Sequence, residues 1–199
     1  MDYTFRVVEA PATTMLQLRE LQDHLRADST DDASEIFLLS ITATEYAQDI
    51  ARRAFITQTL EMSFQHWPST ANGFALLRPP VQSVTWVKYT KSDGTQITLD
   101  TSIYKVLSGC EPGRVILAFN QMWPADELDV GYPITIRYVA GYGDAAAVPQ
   151  RYRHAVRLLV GHWFENREGV VVSPTSSSAG GAAIPFAIRS LLTTKRGKY

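Results

Sequence analysis

The sequence predicts an α+β protein: a helical bundle formed by N- and C-terminal helices, with an inserted antiparallel β-sheet layer of about six strands. Three observations carry this reading. Apolar residues recur at helical spacing up to Phe55, the period shortens to two between Thr57 and Tyr142, and the helical period returns after Pro149. The extended stretches follow one another without intervening helices, which is the pattern of an antiparallel sheet rather than of βαβ units.

Taken in order, the chain begins irregularly, with Pro11, and then places Leu18, Leu21 and Leu25 at i, i+3 and i+7, with Thr14 as the candidate N-cap. Asp28 to Asp32 supply turn and cap residues, and Asp32 with Glu35 makes a start resembling a capping box. The helix it opens carries Ile36, Leu39, Ala43, Tyr46, Ala47, Ile50 and Ala54 on one face and is expected to end near Phe55. Leu60, Met62 and Phe64 then alternate in a strand that stops at Trp67-Pro68, and Arg78-Pro79-Pro80 breaks the chain again. Residues 84–90 and 95–99 flank Ser92-Asp93-Gly94, a hairpin signal because Asp-Gly tolerates a positive φ. Further strands are expected at 104–107, 114–119 and 134–140. Gly141-Tyr142-Gly143-Asp144 closes the sheet as a strand-to-helix turn, and Pro149 suits position N1 of a helix running to about Asn166, with Tyr152, Val156, Leu159, Val160 and Trp163 as its apolar stripe. A Ser/Gly-rich loop at 173–181 and a short helix at 185–192 precede a basic tail. The expected organisation is an N-terminal helical part (1–56), an inserted β region (57–143) and C-terminal helices (144–199), the helical parts packing as one domain.

Composition narrows the function. With 45% hydrophobic and 20% charged residues among 199, the chain can bury a core of its own. Its single cysteine, Cys110, cannot form an internal disulfide, and no CxxC or Cys/His cluster offers a zinc site. The start Met1-Asp2-Tyr3-Thr4-Phe5-Arg6 lacks the features of a signal peptide, and no apolar run approaches the roughly 18 residues that span a bilayer, so no membrane partner is expected. A net charge of −1 argues against a DNA-coating protein. Charge is nevertheless uneven. Glu20, Asp23, Asp28, Asp31, Asp32, Glu35, Glu45 and Asp49 face only Arg26 in the first part, whereas Arg151, Arg153, Arg157, Arg167, Arg189, Lys195, Arg196 and Lys198 face only Glu165 and Glu168 in the last. Ends of opposite sign suit head-to-tail contact between copies, although ordinary solvated helix faces give the same distribution.

No catalytic constellation emerges, and no cofactor or metal site is expected. His24, His66, His154 and His162 are scattered at spacings that do not suit a helical metal site. The GxSxG elbow, the phosphate loop and the dinucleotide fingerprint are absent from the sequence. His162 and Glu165 share a helix face, where a partly buried, hydrogen-bonded histidine is the simpler role. Cys110 sits in a turn beside Glu111, which opposes thiolate formation. Trp67, Trp86 and Trp163 read as packing residues, and Trp123, followed by Pro124, as a candidate interface anchor.

A set of short motifs, in order, carries a family resemblance: Leu21-Gln22-Asp23-His24-Leu25-Arg26, Asp31-Asp32, the 46–53 helix segment with Ile56-Thr57-Gln58-Thr59, Leu77-Arg78-Pro79-Pro80-Val81, Gly113-Arg114-Val115, Trp123-Pro124, the 139–144 turn and His162-Trp163-Phe164-Glu165-Asn166-Arg167-Glu168. Together they resemble the head-tail connector (adaptor, or head-completion) family of tailed bacteriophages, whose relatives also occur in gene-transfer particles. The resemblance implies a non-enzymatic virion protein of the neck region, assembled in the host cytoplasm. It implies a homo-oligomeric ring of about a dozen copies under the portal protein. Such a ring extends the channel through which genomic DNA passes without sequence recognition, and docks a stopper or tail-completion protein. On that reading Arg189, Lys195, Arg196 and Lys198 engage an acidic portal surface or a neighbouring subunit, with Phe186, Leu191 and Leu192 as apolar anchors. The competing readings are a cytoplasmic ligand- or carbohydrate-binding β module with helical flanks, and a hydrolase using Cys110 or His162.

Overall fold

The structure, a computed structural model, describes residues 2–27, 32–70, 72–166 and 186–193. The chain divides into two compact units, one built from residues 1–12 and 52–143 and the other from 13–51 and 144–199. The fold is α+β, with antiparallel strands in the first unit and helices in the second.

The β unit contains eight strands among the described residues: β1 (Tyr3–Glu9), β2 (Gln58–Phe64), β3 (Phe74–Leu76), β4 (Val81–Thr90), β5 (Gln96–Thr98), β6 (Tyr104–Leu107), β7 (Gly113–Leu117) and β8 (Ile134–Ala140). A five-stranded sheet runs β1-β2-β8-β4-β5 and a three-stranded sheet runs β3-β7-β6, every pairing antiparallel. Two of these strands differ from expectation. The N-terminal segment is no irregular lead-in: β1 is an edge strand paired with β2, and Tyr3, Phe5 and Val7 supply the alternation that a strand requires. β3 is only three residues long, too short for its period to register against the surrounding loop.

One face of each sheet supplies the core. Leu60, Met62 and Phe64 on β2, Ile134, Ile136 and Tyr138 on β8, and Val87 and Tyr89 on β4 are buried together with Phe74, Leu76 and Val115 from the smaller sheet. The hairpin closes as its turn residues demand: Gly94 has φ +83° and donates to the Lys91 carbonyl at 2.8 Å, while Asp93 Oδ1 accepts from the Thr95 amide. At the far end of β8, Gly141 adopts φ +129°, and a Cβ there would lie 2.5 Å from the Ile56 carbonyl oxygen. The glycine lets two backbones meet, with the Gly141 amide donating to Pro80 and the Tyr142 amide to Phe55.

The helical unit comprises α1 (Leu18–Leu25), α2 (Ala33–Ala51), α3 (Gln150–Glu165) and α4 (Phe186–Leu192) among the described residues. α2 and α3 pack on each other, α1 touches both, and α4 lies against α3 and α2. α2 buries Ile36, Ser40, Ala43 and Ala47 along one stripe, the last three small enough to allow close approach. α3 answers with Tyr152, Ala155, Val156, Leu159 and Val160. Boundaries shift from expectation for local reasons. Thr14 does not cap α1: its hydroxyl donates to the Leu16 carbonyl at 3.0 Å, and Gln17 holds the cap position. α2 stops at Ala51 rather than near Phe55, because Arg52 turns to φ +52°. Pro149 stands one place before the first helical residue of α3. The expected Ser/Gly loop at 173–181 and the turn residues 28–31 lie outside the described residues.

Candidate interaction surfaces

The polar face of the five-stranded sheet is organised as rows across the strands. Register places Arg6 opposite Glu61, Glu61 opposite Arg137 and Arg137 opposite Trp86, so four strands contribute one residue each to a continuous line. Glu61 is the pivot. Its side chain is only 5% exposed, and it accepts from Arg6 Nε at 2.8 Å through one oxygen and from Arg137 Nη2 at 2.9 Å through the other. Trp86 carries two cations over its ring, Lys88 Nζ 4.6 Å and Arg137 Cζ 4.8 Å from the centroid. The next row is uncharged apart from Lys88: Thr4, Ser63 and Thr135 lie in register, the last two with hydroxyls 3.1 Å apart. Sequence reading missed this face, because strand register brings together residues 6, 61, 88 and 137, which no spacing rule connects.

Two further surfaces are apolar. The outer side of α2 exposes Leu38 and, less fully, Phe37 and Ile41, while Tyr46 packs edge-on against Trp163 at 5.8 Å. The connection between β7 and β8 exposes Phe119, Met122 and Val130 almost completely. That connection is pinned. Asp126 accepts from the Tyr89 hydroxyl at 2.6 Å and pairs with Lys91 at 2.8 Å, and the Ser92 amide donates to Glu127. Burial, with the Asp126 hydrogen bond added, pushes the Tyr89 hydroxyl up to about 12. Large apolar side chains held in water by an ordered loop are characteristic of surfaces that another molecule covers.

The residues singled out from sequence divide among these places. Phe186 and Arg189 are exposed on α4, whereas Leu191 is half-buried and accepts from Arg151 through its carbonyl. Leu192, expected to anchor a partner, is fully buried among the helices of its own unit, so its contacts are already made. Trp123 is likewise no free anchor: it is half-buried and stacks on Trp67 at 5.0 Å, with its edge toward Phe74. Lys195, Arg196 and Lys198 lie outside the described residues.

The supposed charge polarity is partly spent inside the subunit. Glu20 of α1 pairs with both Arg153 and Arg157 of α3. The candidate nucleophile Cys110 donates to the Leu107 carbonyl, and His162 lies 3.4 Å from the Asn166 side-chain nitrogen. Among the described residues no group of three or more His, Cys, Asp or Glu side chains could hold a metal ion, and no helix is long and apolar enough to cross a membrane.

The sequence matches no protein-family profile, and no curated protein matches it. Solved structures do match. A chain in the virion of a native gene transfer agent particle superposes with a TM-score of 0.72 at 21% identity, covering 95% of this chain and 93% of that one. A chain in the neck of the empty particle, computed with C6 symmetry, gives 0.72 at 22% identity with the same coverage. This protein has the fold of a gene transfer agent neck chain. The neck of the native particle, computed with C12 symmetry, contains a further match at a TM-score of 0.69 and 22% identity, covering 95% of this chain and 92% of that one. At 95% coverage of this chain the match extends over both units, β-rich and helical.

Proposed function

We propose that this chain is a structural subunit of the neck of a tailed-phage-like particle, a head-tail connector that assembles as a homo-oligomeric ring beneath the portal. The ring extends the DNA channel and presents a platform for the stopper or tail-completion protein. One observation carries the reading: both units correspond, over nearly the full length of each chain, to chains from necks computed with sixfold and twelvefold symmetry. A head-to-tail contact whose rotation closes generates such a ring. The apolar outer side of α2 and the pinned loop bearing Phe119, Met122 and Val130 are surfaces of the kind that ring contacts cover. The exposed α4 residues Phe186 and Arg189, with the basic tail at Lys195, Arg196 and Lys198, are assigned to the portal or a neighbouring subunit. A tryptophan-lined ligand site has less to recommend it, since Trp67 and Trp123 stack on each other and Trp86 carries two cations.

The test is made on particles purified from cells that produce the chain. Mass spectrometry is expected to find it there, and imaging to place it as a ring between head and tail. Particles that lack the polypeptide would overturn the proposal. Removing residues 186–199 is expected to leave heads that do not join tails.

A further inference from the structure

The geometry points to a second docking surface, on the polar face of the five-stranded sheet: a site for a segment of another protein that presents carboxylates. The inference does not depend on the particle assignment. Arg6, Lys88 and Arg137 surround a depression of about 330 Å³ whose remaining lining includes Trp86, Gln96 and Thr135. Three cations meet one carboxylate, Glu61, leaving a local excess of two positive charges. Glu61 is already satisfied: each of its oxygens accepts from the Nε and Nη2 of one arginine. The Nη1 groups of Arg6 and Arg137 have no hydrogen-bond partner among the described residues, and neither has Lys88 Nζ, which rests over Trp86. These donors are held in place before any ligand arrives. Glu61 fixes both guanidinium planes and the indole ring supports Lys88 and Arg137, so little side-chain freedom remains to be lost on binding.

The shape of the charge selects a protein carboxylate over nucleic acid. A phosphate backbone is recognised by a stripe of cations that follows successive charges. Here the cations converge on one spot, and the in-register neighbours Thr4, Ser63, Thr135 and Thr98 are hydroxyls. The site's aromatic group, the half-buried Trp86, has cations over its ring, so it is not a platform for a base.

The experiment titrates the full chain with a hexaglutamate peptide, following the Trp86 indole resonance by NMR, beside a short DNA duplex and inorganic phosphate at the same ionic strength. Saturable binding of the peptide with a shift at Trp86 is expected. Lys88→Glu is expected to weaken it roughly tenfold or more, since a rim charge is reversed without touching the Glu61 pairs. Lys105→Glu, a reversal on the smaller sheet, is expected to leave binding unchanged. The inference is overturned by no saturable shift, by equal loss in both variants, by tighter binding of the duplex, or by phosphate displacing the peptide at equal concentration. Self-association of the free protein that Lys88→Glu abolishes would overturn the choice of a foreign segment in favour of a second copy.

Discussion

Arg153 Nη2 on α3 donates to Glu20 Oε2 on α1 at 3.1 Å, and Arg157 engages the other oxygen of the same carboxylate. All three side chains are less than a third exposed, and the Nε atoms of both arginines are buried without a hydrogen-bond partner among the described residues. One carboxylate therefore compensates two guanidiniums in a partly dry setting. Glu20→Gln leaves that pair of cations facing each other and is expected to cost about 1–2 kcal/mol, between the value of an exposed pair and that of a fully buried one. The check is thermal unfolding, with a fall in Tm of roughly 3–6 °C.

Glu61 stands in the same relation to Arg6 and Arg137, but it is more deeply buried and its arginines differ. Arg6 sits on an edge strand with its side chain 69% exposed, whereas Arg137 lies on a central strand and is 32% exposed. Glu61→Gln is expected to destabilise by about 2–3 kcal/mol, because two guanidiniums lose their charge partner. Arg6→Ala is expected to cost under about 1 kcal/mol, since water replaces most of what it loses. Urea unfolding of the two variants distinguishes them, and equal effects would show that Glu61 is not the pivot.

How much of this was legible beforehand follows from the range over which each interaction acts. The 92–94 hairpin, the α3 stripe and the alternation of β2 and β8 depend on neighbours in sequence, and their residue patterns announce them. The ends of α1 and α2 did not, because Thr14 found a closer carbonyl and Arg52 a left-handed conformation. β1 had the required pattern in Tyr3, Phe5 and Val7, yet its status as a strand depends on β2, which lies some fifty residues later. The polar sheet face was invisible for the same reason: register, not spacing, joins Arg6 to Glu61 and Arg137. The opposite charges of the two chain ends were legible, but the Glu20 pairs use part of that complementarity within one subunit. Among the interface candidates, the sequence could flag Trp123 as large and near a turn, but could not reveal the Trp67 ring stacked on it.

Gly141 gives a sharper test of the turn that closes the sheet. Its φ of +129° is one that side-chain-bearing residues rarely adopt, and the Ile56 and Thr57 backbone occupies the space a Cβ would need. Gly141→Ala is expected to destabilise by about 2–4 kcal/mol, since backbone must move. Gly94→Ala, at φ +83° with open space around it, is expected to cost only about 1 kcal/mol. Chemical denaturation of both variants checks the contrast, which isolates close approach from backbone conformation.

Stability should also respond to pH at both extremes, for opposite reasons. The folded protein holds the Tyr89 proton up to about 12, against 10 for an ordinary tyrosine. Above pH 10 the unfolded chain releases that proton first, so stability falls as pH rises from 10 towards 12, and below 10 this contribution is constant. Tyr89→Phe is expected to reduce that alkaline slope, while lowering stability at neutral pH through loss of the Asp126 hydrogen bond. A second slope remains from Tyr138, whose hydroxyl burial also pushes upward. On the acid side, the hydrogen bond from Arg53 lowers Glu111 below its ordinary value of 4.5. Its contribution is present above that value and is lost as pH falls through the folded one, because the unfolded chain takes up the proton first. Glu111→Gln is expected to reduce this acid slope, the part due to Asp93, Asp100 and Asp126 remaining, and to leave the alkaline limb unchanged. Urea midpoints measured from pH 3 to 12 on the parent and both variants give the three curves, and an alkaline slope that survives unaltered in Tyr89→Phe would refute the assignment.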